Sequence, residues 1–213
     1  MERVIRAAGV ALLVALLTAC GGPGTPPKPP TAQEVLAKPA NSNLKDAHFL
    51  ATGKFTNNGV SVDVNGDGEL VYKPQGAGRF KFATTVAGQQ VTFEELTVNG
   101  TDYTFTTPGN GKWTAKASSS SSGIGPDSFT GASDFKYIGE ENLSQGKSWH
   151  ASAKDKDGNP FDAWVRESDG YPVKYVLTQA GPSASGNTLT LTFDKYNTGT
   201  TVSPPPASQV VQG

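Results

Sequence analysis

Apolar and polar residues alternate along most of this chain from residue 44 onward. The clearest case is the segment 188–193, Thr-Leu-Thr-Leu-Thr-Phe, with threonine at every even position. A period of two places successive side chains on opposite faces of a strand, one toward water and one toward a core. The same pattern recurs at residues 49–55, 60–64, 79–82, 91–94, 103–105, 135–137, 161–165 and 173–177. It predicts about eleven strands.

Turn sequences rich in glycine separate the alternating segments. Asn-Gly and Asp-Gly pairs tolerate the positive φ that tight hairpins require. The predicted turns are residues 65–68 (Asn-Gly-Asp-Gly), 74–76, 87–88, 99–100, 108–111, 157–160 and 169–170. Strands joined mostly by hairpins form an antiparallel meander, and a sheet of this width curls. The sequence therefore predicts a mainly β fold built on one large, curved antiparallel sheet.

A single short helix is predicted before the sheet, over residues 31–40. Thr31 stands at the N-cap and Glu34 follows at the spacing of a capping box, while Pro39 is expected to stop the helix. Val35 and Leu36 are its few apolar residues. We expect this helix to lie across one end of the domain.

The first twenty residues have the layout of a secretory signal peptide. Arg3 and Arg6 precede an apolar run over residues 7–17, which is too short to span a bilayer. Residues 17–20 read Leu-Thr-Ala-Cys, which resembles the bacterial lipobox, and Cys20 is the only cysteine. A lipobox cysteine receives a diacylglyceryl anchor, with palmitate-type acyl chains, and becomes the new N-terminus. The alternative is an ordinary signal peptide in which Cys20 is incidental.

Composition narrows the possible functions. The chain has 25 Gly and 15 Pro with only 36% hydrophobic residues, which favours short strands and turns over long helices. Its formal net charge is −1 and it has no Lys/Arg run, which argues against a nucleic-acid partner. With Cys20 acylated, no thiol is left for a disulfide or a cysteine-based metal site.

Two stretches fit neither the strands nor the helix. Residues 117–131, rich in serine and glycine, predict a lid that is either helical or disordered. Residues 198–213 include three consecutive prolines and predict a disordered tail. The predicted organisation is a lipoprotein signal peptide (1–19), a lipidated tether with the short helix (20–43), the sheet domain (44–197) and the tail (198–213).

Few residues are candidates for chemistry. Asp63, Asn65 and Asp67 have the alternate spacing of the first half of a calcium loop, but Pro74 stands where that loop needs Glu. We therefore favour a plain hairpin turn there over a metal site. The adjacent pair Glu94 and Glu95 would point to opposite faces of a strand, so a paired-carboxylate site is not expected.

No catalytic site is predicted. His48 and His150 are the only histidines, and no motif suggests that they converge with a nucleophile or a carboxylate. No Gly-x-Ser-x-Gly sequence and no phosphate-binding glycine loop is present. We expect no enzyme activity, no cofactor and no metal.

Large apolar residues recur at the positions expected to face inward. They are the candidate lining of a ligand cavity: Phe80, Phe82, Phe93, Tyr103, Phe105, Phe135, Tyr137, Val165, Tyr175, Leu191 and Phe193. A curved sheet of eleven strands with only one short helix to fill its concave side would leave an apolar hollow. The alternative is a fully packed core, and the sequence leaves both open.

Several short motifs resemble lipoproteins of the LolA/LolB-like fold, and most closely those of the LppX/LprG type. They are residues 98–103 (Val-Asn-Gly-Thr-Asp-Tyr), 111–113 (Gly-Lys-Trp), 137–141 (Tyr-Ile-Gly-Glu-Glu) and 163–173, which ends in Gly-Tyr-Pro-Val. The resemblance covers residues 44–197. It implies a half-barrel closed by helices, with a hydrophobic cavity that carries lipids or acyl chains.

Together these features predict a membrane-anchored lipoprotein of the bacterial cell envelope, facing away from the cytoplasm. It would bind a lipid or an acyl chain for transport or presentation, as a monomer attached to the membrane through diacylglyceryl-Cys20. The alternative is a surface-displayed interaction or scaffold domain with a packed core and no ligand.

Overall fold

One α-helix and twelve strands form the regular structure of the residues that the structure describes. The computed structural model describes residues 28–57, 60–118, 129, 131–179 and 187–213. Helix α1 spans Ala32–Asn41, and a 3₁₀ turn spans Ala207–Gln209. The strands are β1 Asp46–Asn57, β2 Val60–Val71, β3 Ala77–Val86, β4 Gln89–Val98, β5 Thr101–Thr107, β6 Trp113–Ala117, β7 Ser133–Leu143, β8 Gly146–Lys154, β9 Pro160–Arg166, β10 Pro172–Gln179, β11 Asn187–Tyr196 and β12 Val210–Gln212. The predicted signal peptide, Cys20 and most of the predicted lid lie outside the described residues.

All twelve strands belong to one sheet, in the order β12-β6-β5-β4-β3-β2-β1-β11-β10-β9-β8-β7. Neighbouring strands are antiparallel except for β12 and β6, which run parallel. Strand β1 pairs with β2 on one side and with β11 on the other. The sheet is open and curved, so the predicted mainly β half-barrel is confirmed. Within the part of the chain that the structure describes, no helix is long and apolar enough to cross a bilayer.

The main core lies on the inner face of the sheet, where the central strands meet. Phe49 of β1 pairs in register with Phe193 of β11, and their rings pack edge to face with centroids 5.7 Å apart. Both side chains are completely buried, as is Leu191. Each such residue contributes roughly 1.5–3 kcal/mol by leaving water, so this seam between β1 and β11 contributes substantially to the stability of the sheet.

Helix α1 covers the inner face of β7, β8 and β9. Its apolar residues Val35 and Leu36 are buried in the main core. The capping box is present: the Glu34 amide donates to Thr31 Oγ1 (3.2 Å) and the Thr31 amide donates to Glu34 Oε2 (2.7 Å). Pro39 does not stop the helix as predicted but lies inside its last turn, where a missing N–H removes only one hydrogen bond.

The predicted turn at residues 65–68 is wrong, because these residues lie in the middle of β2. The glycines there make room instead of reversing the chain. A Cβ on Gly68 would meet the Phe49 ring and the Arg79 carbonyl oxygen at 2.4 Å each. A Cβ on Gly66 would meet the Lys81 carbonyl oxygen at 2.1 Å. Glycine inside a strand here marks close approach of a neighbour.

The predicted disordered tail is also wrong for residues 207–213, which form the 3₁₀ turn and β12. Strand β12 covers the edge of β6, and the Gly213 amide donates to the Ala115 carbonyl (3.0 Å). Further back, Val202 packs on a small outer-face cluster of Val71, Ala77, Val98 and Tyr103. The sequence does not indicate this strand, because it has only three residues and follows three prolines.

Asp46 fixes the chain where it leaves β11. Its carboxylate accepts hydrogen bonds from the Thr198 amide and hydroxyl (2.8 Å each) and from the Gly199 amide (3.0 Å). Burial would raise the pKa of Asp46, but these donors together hold the pKa below its usual value. Asp46 therefore holds residues 198 and 199 against the start of β1 through charge-assisted hydrogen bonds.

Candidate ligand-binding site

An apolar cavity opens on the inner face of the sheet, between β3–β4 on one side and β10–β11 on the other. Its volume is about 300 Å³. Strand alternation positions its wall, because Phe80 and Phe82 of β3 and Leu189 of β11 all occupy inward-facing registers. Phe55 at the end of β1 and Leu177 of β10 complete the apolar lining. The cavity lies beyond the strands that α1 covers.

Polar side chains surround one end of this cavity, and most of them bond to one another. Asn187 accepts a hydrogen bond from the Thr56 amide (2.6 Å) and donates to Gln179 Oε1 (3.2 Å). In the β8–β9 turn, Asp155 accepts hydrogen bonds from the amides of Asp157 and Asn159 (2.9 and 2.8 Å). These groups hold the cavity rim in place, and their hydrogen-bonding capacity is largely used within the protein.

Glu95 differs from the other polar groups at the cavity. It occupies an inward register of β4, opposite Phe80 of β3, and lines the cavity. Among the described residues it has no hydrogen-bond or ion-pair partner. Burial raises the pKa of Glu95, and the like charge of Asp102 raises it further. Its neighbour Glu94 points to the outer face and pairs with Lys81 (2.9 Å), so the sequence argument that the two carboxylates diverge is confirmed.

The predicted lining residues divide into three groups. Phe80 and Phe82 line the cavity, and Phe93 stacks on Phe82 with ring centroids 6.1 Å apart. The second group lies in the main core or at its border: Phe135, Tyr137, Val165, Tyr175, Leu191 and Phe193. These side chains build the floor of the half-barrel beside the cavity.

Tyr103 and Phe105 form the third group and lie on the opposite face. Tyr103 pairs in register with Leu96 and Phe105 with Glu94, and both partners face outward. Phe105 packs against Trp113 with ring centroids 5.3 Å apart. The assignment of these two residues to the inner face is therefore corrected. Alternation identifies two faces but does not say which of them is concave.

The residues of the weak calcium candidate do not surround a common point. Asp63, Asn65 and Asp67 follow one another on the outer face of β2, where alternate residues stand about 7 Å apart. Asp67 instead lies near His48 and Glu69, with one potential ligand atom from each within 4.8 Å of the others. His48 Nδ1 is bonded to Asp194 Oδ1 (2.5 Å). This is an exposed acidic cluster, and no second feature among the described residues indicates an ion.

Of the predicted lid, residues 117–131, the structure describes residues 117, 118, 129 and 131. Phe129 stacks on Phe161 with centroids 4.7 Å apart and meets the Tyr175 ring edge to face at 5.2 Å. The chain therefore comes back to the inner face just before β7. The remaining inner residues of the predicted lid lie outside the described ones.

The fold is shared with a solved structure of an uncharacterized conserved protein from Thermus thermophilus. The TM-score is 0.53 at 12% identity, over 85% of this chain and 99% of the other. The curved antiparallel half-barrel implied by the sequence resemblance is confirmed by the sheet itself, and among the described residues one helix, α1, packs against β7–β9. At this identity the likeness concerns the fold alone.

A lipoprotein is among the other solved structures of similar shape. Mycobacterium tuberculosis lipoprotein LppX matches with a TM-score of 0.45 and 15% identity, over 80% of this chain and 99% of LppX. LprF from Mycobacterium bovis matches with a TM-score of 0.44 and 15% identity, over 82% and 96%. Likenesses this distant carry no argument about ligands. No family model and no curated protein matches the chain.

Proposed function

We propose that this chain is a lipid-anchored protein of the bacterial cell envelope that binds an apolar ligand in the inner-face cavity, for transport or presentation. The observation that carries the proposal is the apolar cavity itself. Its volume of about 300 Å³ stands at the lower end of the range for small-molecule sites. Phe55, Phe80, Phe82, Leu177 and Leu189 are the proposed contacts for a lipid or an acyl chain.

The proposed mechanism is burial without covalent chemistry. Each methylene that leaves water contributes about 0.8 kcal/mol, so a single alkyl chain of moderate length accounts for micromolar binding after the cost of ordering it. The aromatic rings of β3 and the leucines of β10 and β11 offer two opposed apolar walls. A monomer is sufficient, because both walls come from one sheet.

The anchor in this proposal is Cys20. A diacylglyceryl group supplies two acyl chains, which is enough for stable membrane attachment where one chain is not. The Gly/Pro-rich residues 21–30 would act as an extended spacer between the bilayer and the domain. Growth of a bacterial host with labelled palmitate should label the unsubstituted protein and leave the Cys20→Ala variant unlabelled. Equal labelling of the two, or no labelling of either, would contradict the anchor and leave the cavity proposal in place.

Native mass spectrometry tests the cavity. The chain is purified from a lipid-containing bacterial host, and we expect a non-covalent adduct of lipid mass. Leu177→Trp would fill the cavity from β10 and should reduce the adduct about tenfold. Val176→Trp is the matched control, since residue 176 faces outward on the same strand. A bare mass, together with no binding of a hydrophobic dye, would favour the alternative of a surface interaction domain with a packed core.

A further inference from the structure

The half-buried position of Glu95 on the inner face of β4 is unfavourable for an ionised carboxylate. Its carboxyl group lies in a largely apolar cavity opposite Phe80, and it has no bonding partner among the described residues. Burying a carboxylate without a partner lowers stability, and proteins normally pair such groups. A group of this kind at a ligand cavity is a candidate for recognition of the ligand itself.

In the part of the chain that the structure describes, the charged residues that line the cavity are Arg79, Glu95 and Asp155. Arg79 pairs in register with Leu96 and Glu69, which places its side chain on the outer face. Asp155 is held by the amides of its own turn. Glu95 is therefore the charge free to meet a bound molecule.

The next strands along the inner face add negative rather than positive character near Glu95. Asp102 of β5 accepts a hydrogen bond from Thr97 (2.7 Å), and its charge raises the pKa of Glu95. Lys116 of β6 pairs in register with Asp102, but it is exposed and lies two strands away from β4. An anionic headgroup would thus meet repulsion in this part of the cavity, and a cation would meet attraction.

We propose that Glu95 makes the cavity selective for amphiphiles with a cationic, hydrogen-bond-donating head, such as a long-chain amine, over those that end in carboxylate or phosphate. The alkyl chain would lie between Phe82 and Leu177, and the ammonium would donate to the Glu95 carboxylate. This inference rests on the proposed function, because it requires that the cavity hold an apolar chain at all.

The test compares three probes with the same alkyl chain: decylamine, decanol and decanoate. The full chain carrying Cys20→Ala is used, so that its own anchor supplies no acyl chain. Affinities are measured by displacement of a neutral hydrophobic dye at neutral pH. We expect decylamine to bind at least about tenfold more tightly than decanoate, with decanol between them, since a charge-assisted hydrogen bond is of that size.

Glu95→Gln should bring the three affinities to within about threefold of one another, because it removes the charge and keeps the shape. Glu94→Gln is the matched control: it changes the neighbouring residue on the outer face and should leave the tenfold preference intact. In the unsubstituted cavity, the preference of decylamine over decanol should also fall as the pH drops through the pKa of Glu95.

The outcomes separate the two proposals. Binding of all three probes with equal affinity, or a preference that persists in Glu95→Gln, would overturn the role of Glu95 and leave the ligand cavity standing. A preference for decanoate would overturn that role as well. Failure of all three probes and of the dye to bind would overturn the proposed function, and the inference with it.

Discussion

The two halves of the sheet share the same alternation but bury it differently. In the closed half, β7–β11 with β1, α1 covers the inner face of β7–β9, and side chains such as Phe49, Leu191 and Phe193 are completely buried. In the open half, β2–β6, the inward residues Phe82, Phe93 and Thr97 are only half-buried. The cavity lies where the halves meet, so it follows from incomplete cover of one continuous sheet.

The open half also buries apolar side chains on its outer face. Its outer face carries Val71, Ala77 and Val98, which pack with Tyr103 and with Val202 from the C-terminal segment. Within the open half, β2 and β3 still bury Leu70 and Phe80 on the concave face, whereas the buried side chains of β4–β6, Leu96, Val98 and Ala115, lie on the convex face. An apolar residue in a strand therefore indicates a buried position, but the element that packs on the sheet determines which face is buried.

The largest expected effect separates the halves directly. Phe49→Ala removes a completely buried ring and should lower the free energy of unfolding by about 3–5 kcal/mol. Phe93→Ala, the same change at a half-buried inner position of the open half, should cost about 1 kcal/mol. Urea unfolding of both variants measures the difference. Equal losses would mean that the two halves are packed alike.

A second substitution examines the contact between β1 and β2, where the two halves meet. Gly68→Ala would press a methyl group against the Phe49 ring and the Arg79 carbonyl, each at 2.4 Å, and should cost about 2–3 kcal/mol. Asn65→Ala, at an exposed position of the same strand, should change stability by less than about 0.5 kcal/mol. In a Gly68→Ala/Phe49→Leu double variant the losses should be less than additive, because the ring is part of the clash. Strict additivity would contradict the contact.

The smallest effects come from two carboxylates with opposite pH dependence. The lowered pKa of Asp46 means that its contribution is present above the ordinary carboxyl pKa and is lost as the pH falls through the lowered value. Asp46→Asn should therefore lower the free energy of unfolding at neutral pH by about 1–2 kcal/mol. This deficit should shrink as the solution is acidified.

Glu95→Gln should act in the opposite direction. The raised pKa of Glu95 means that the folded state loses stability as the pH rises from the ordinary pKa of glutamate to the raised pKa, and the whole loss is present above the raised pKa. The substitution should thus stabilise the protein at neutral pH, by up to about 1 kcal/mol. The gain should disappear as the pH falls to the ordinary pKa of glutamate. Thermal unfolding across a pH series measures both variants, and a loss of stability in Glu95→Gln would contradict the unpartnered carboxylate.

Much of the fold was predictable, because strand alternation and capping are local. Residues 188–193 and the pair Thr31 and Glu34 behave as their sequence predicts. The turn predicted at residues 65–68 is wrong because glycine allows close approach of strands as well as turns. Only the position of Phe49 distinguishes the two uses. Strand β12 was missed since its pairing with β6 depends on contacts distant in sequence.

The candidate site was predictable only in part. Phe80 and Phe82 follow from alternation, but Tyr103 and Phe105 obey the same rule and face the other way. In the sequence, Glu95 stands out only as the neighbour of Glu94. Its place opposite Phe80 depends on the register of β3 with β4, which the sequence does not specify. A lone acidic residue among inward-facing apolar positions was the available clue.

The pairing of β1 with β11 has a consequence for how this protein comes into being. Phe49 of β1 pairs with Phe193 of β11, so the seam between these two strands cannot form until nearly the whole chain has been synthesised. At usual rates of translation that delay is on the order of ten seconds. During this interval the apolar side chains of β1 remain without their partners on β11, so the polypeptide stays incompletely folded until its synthesis is almost finished.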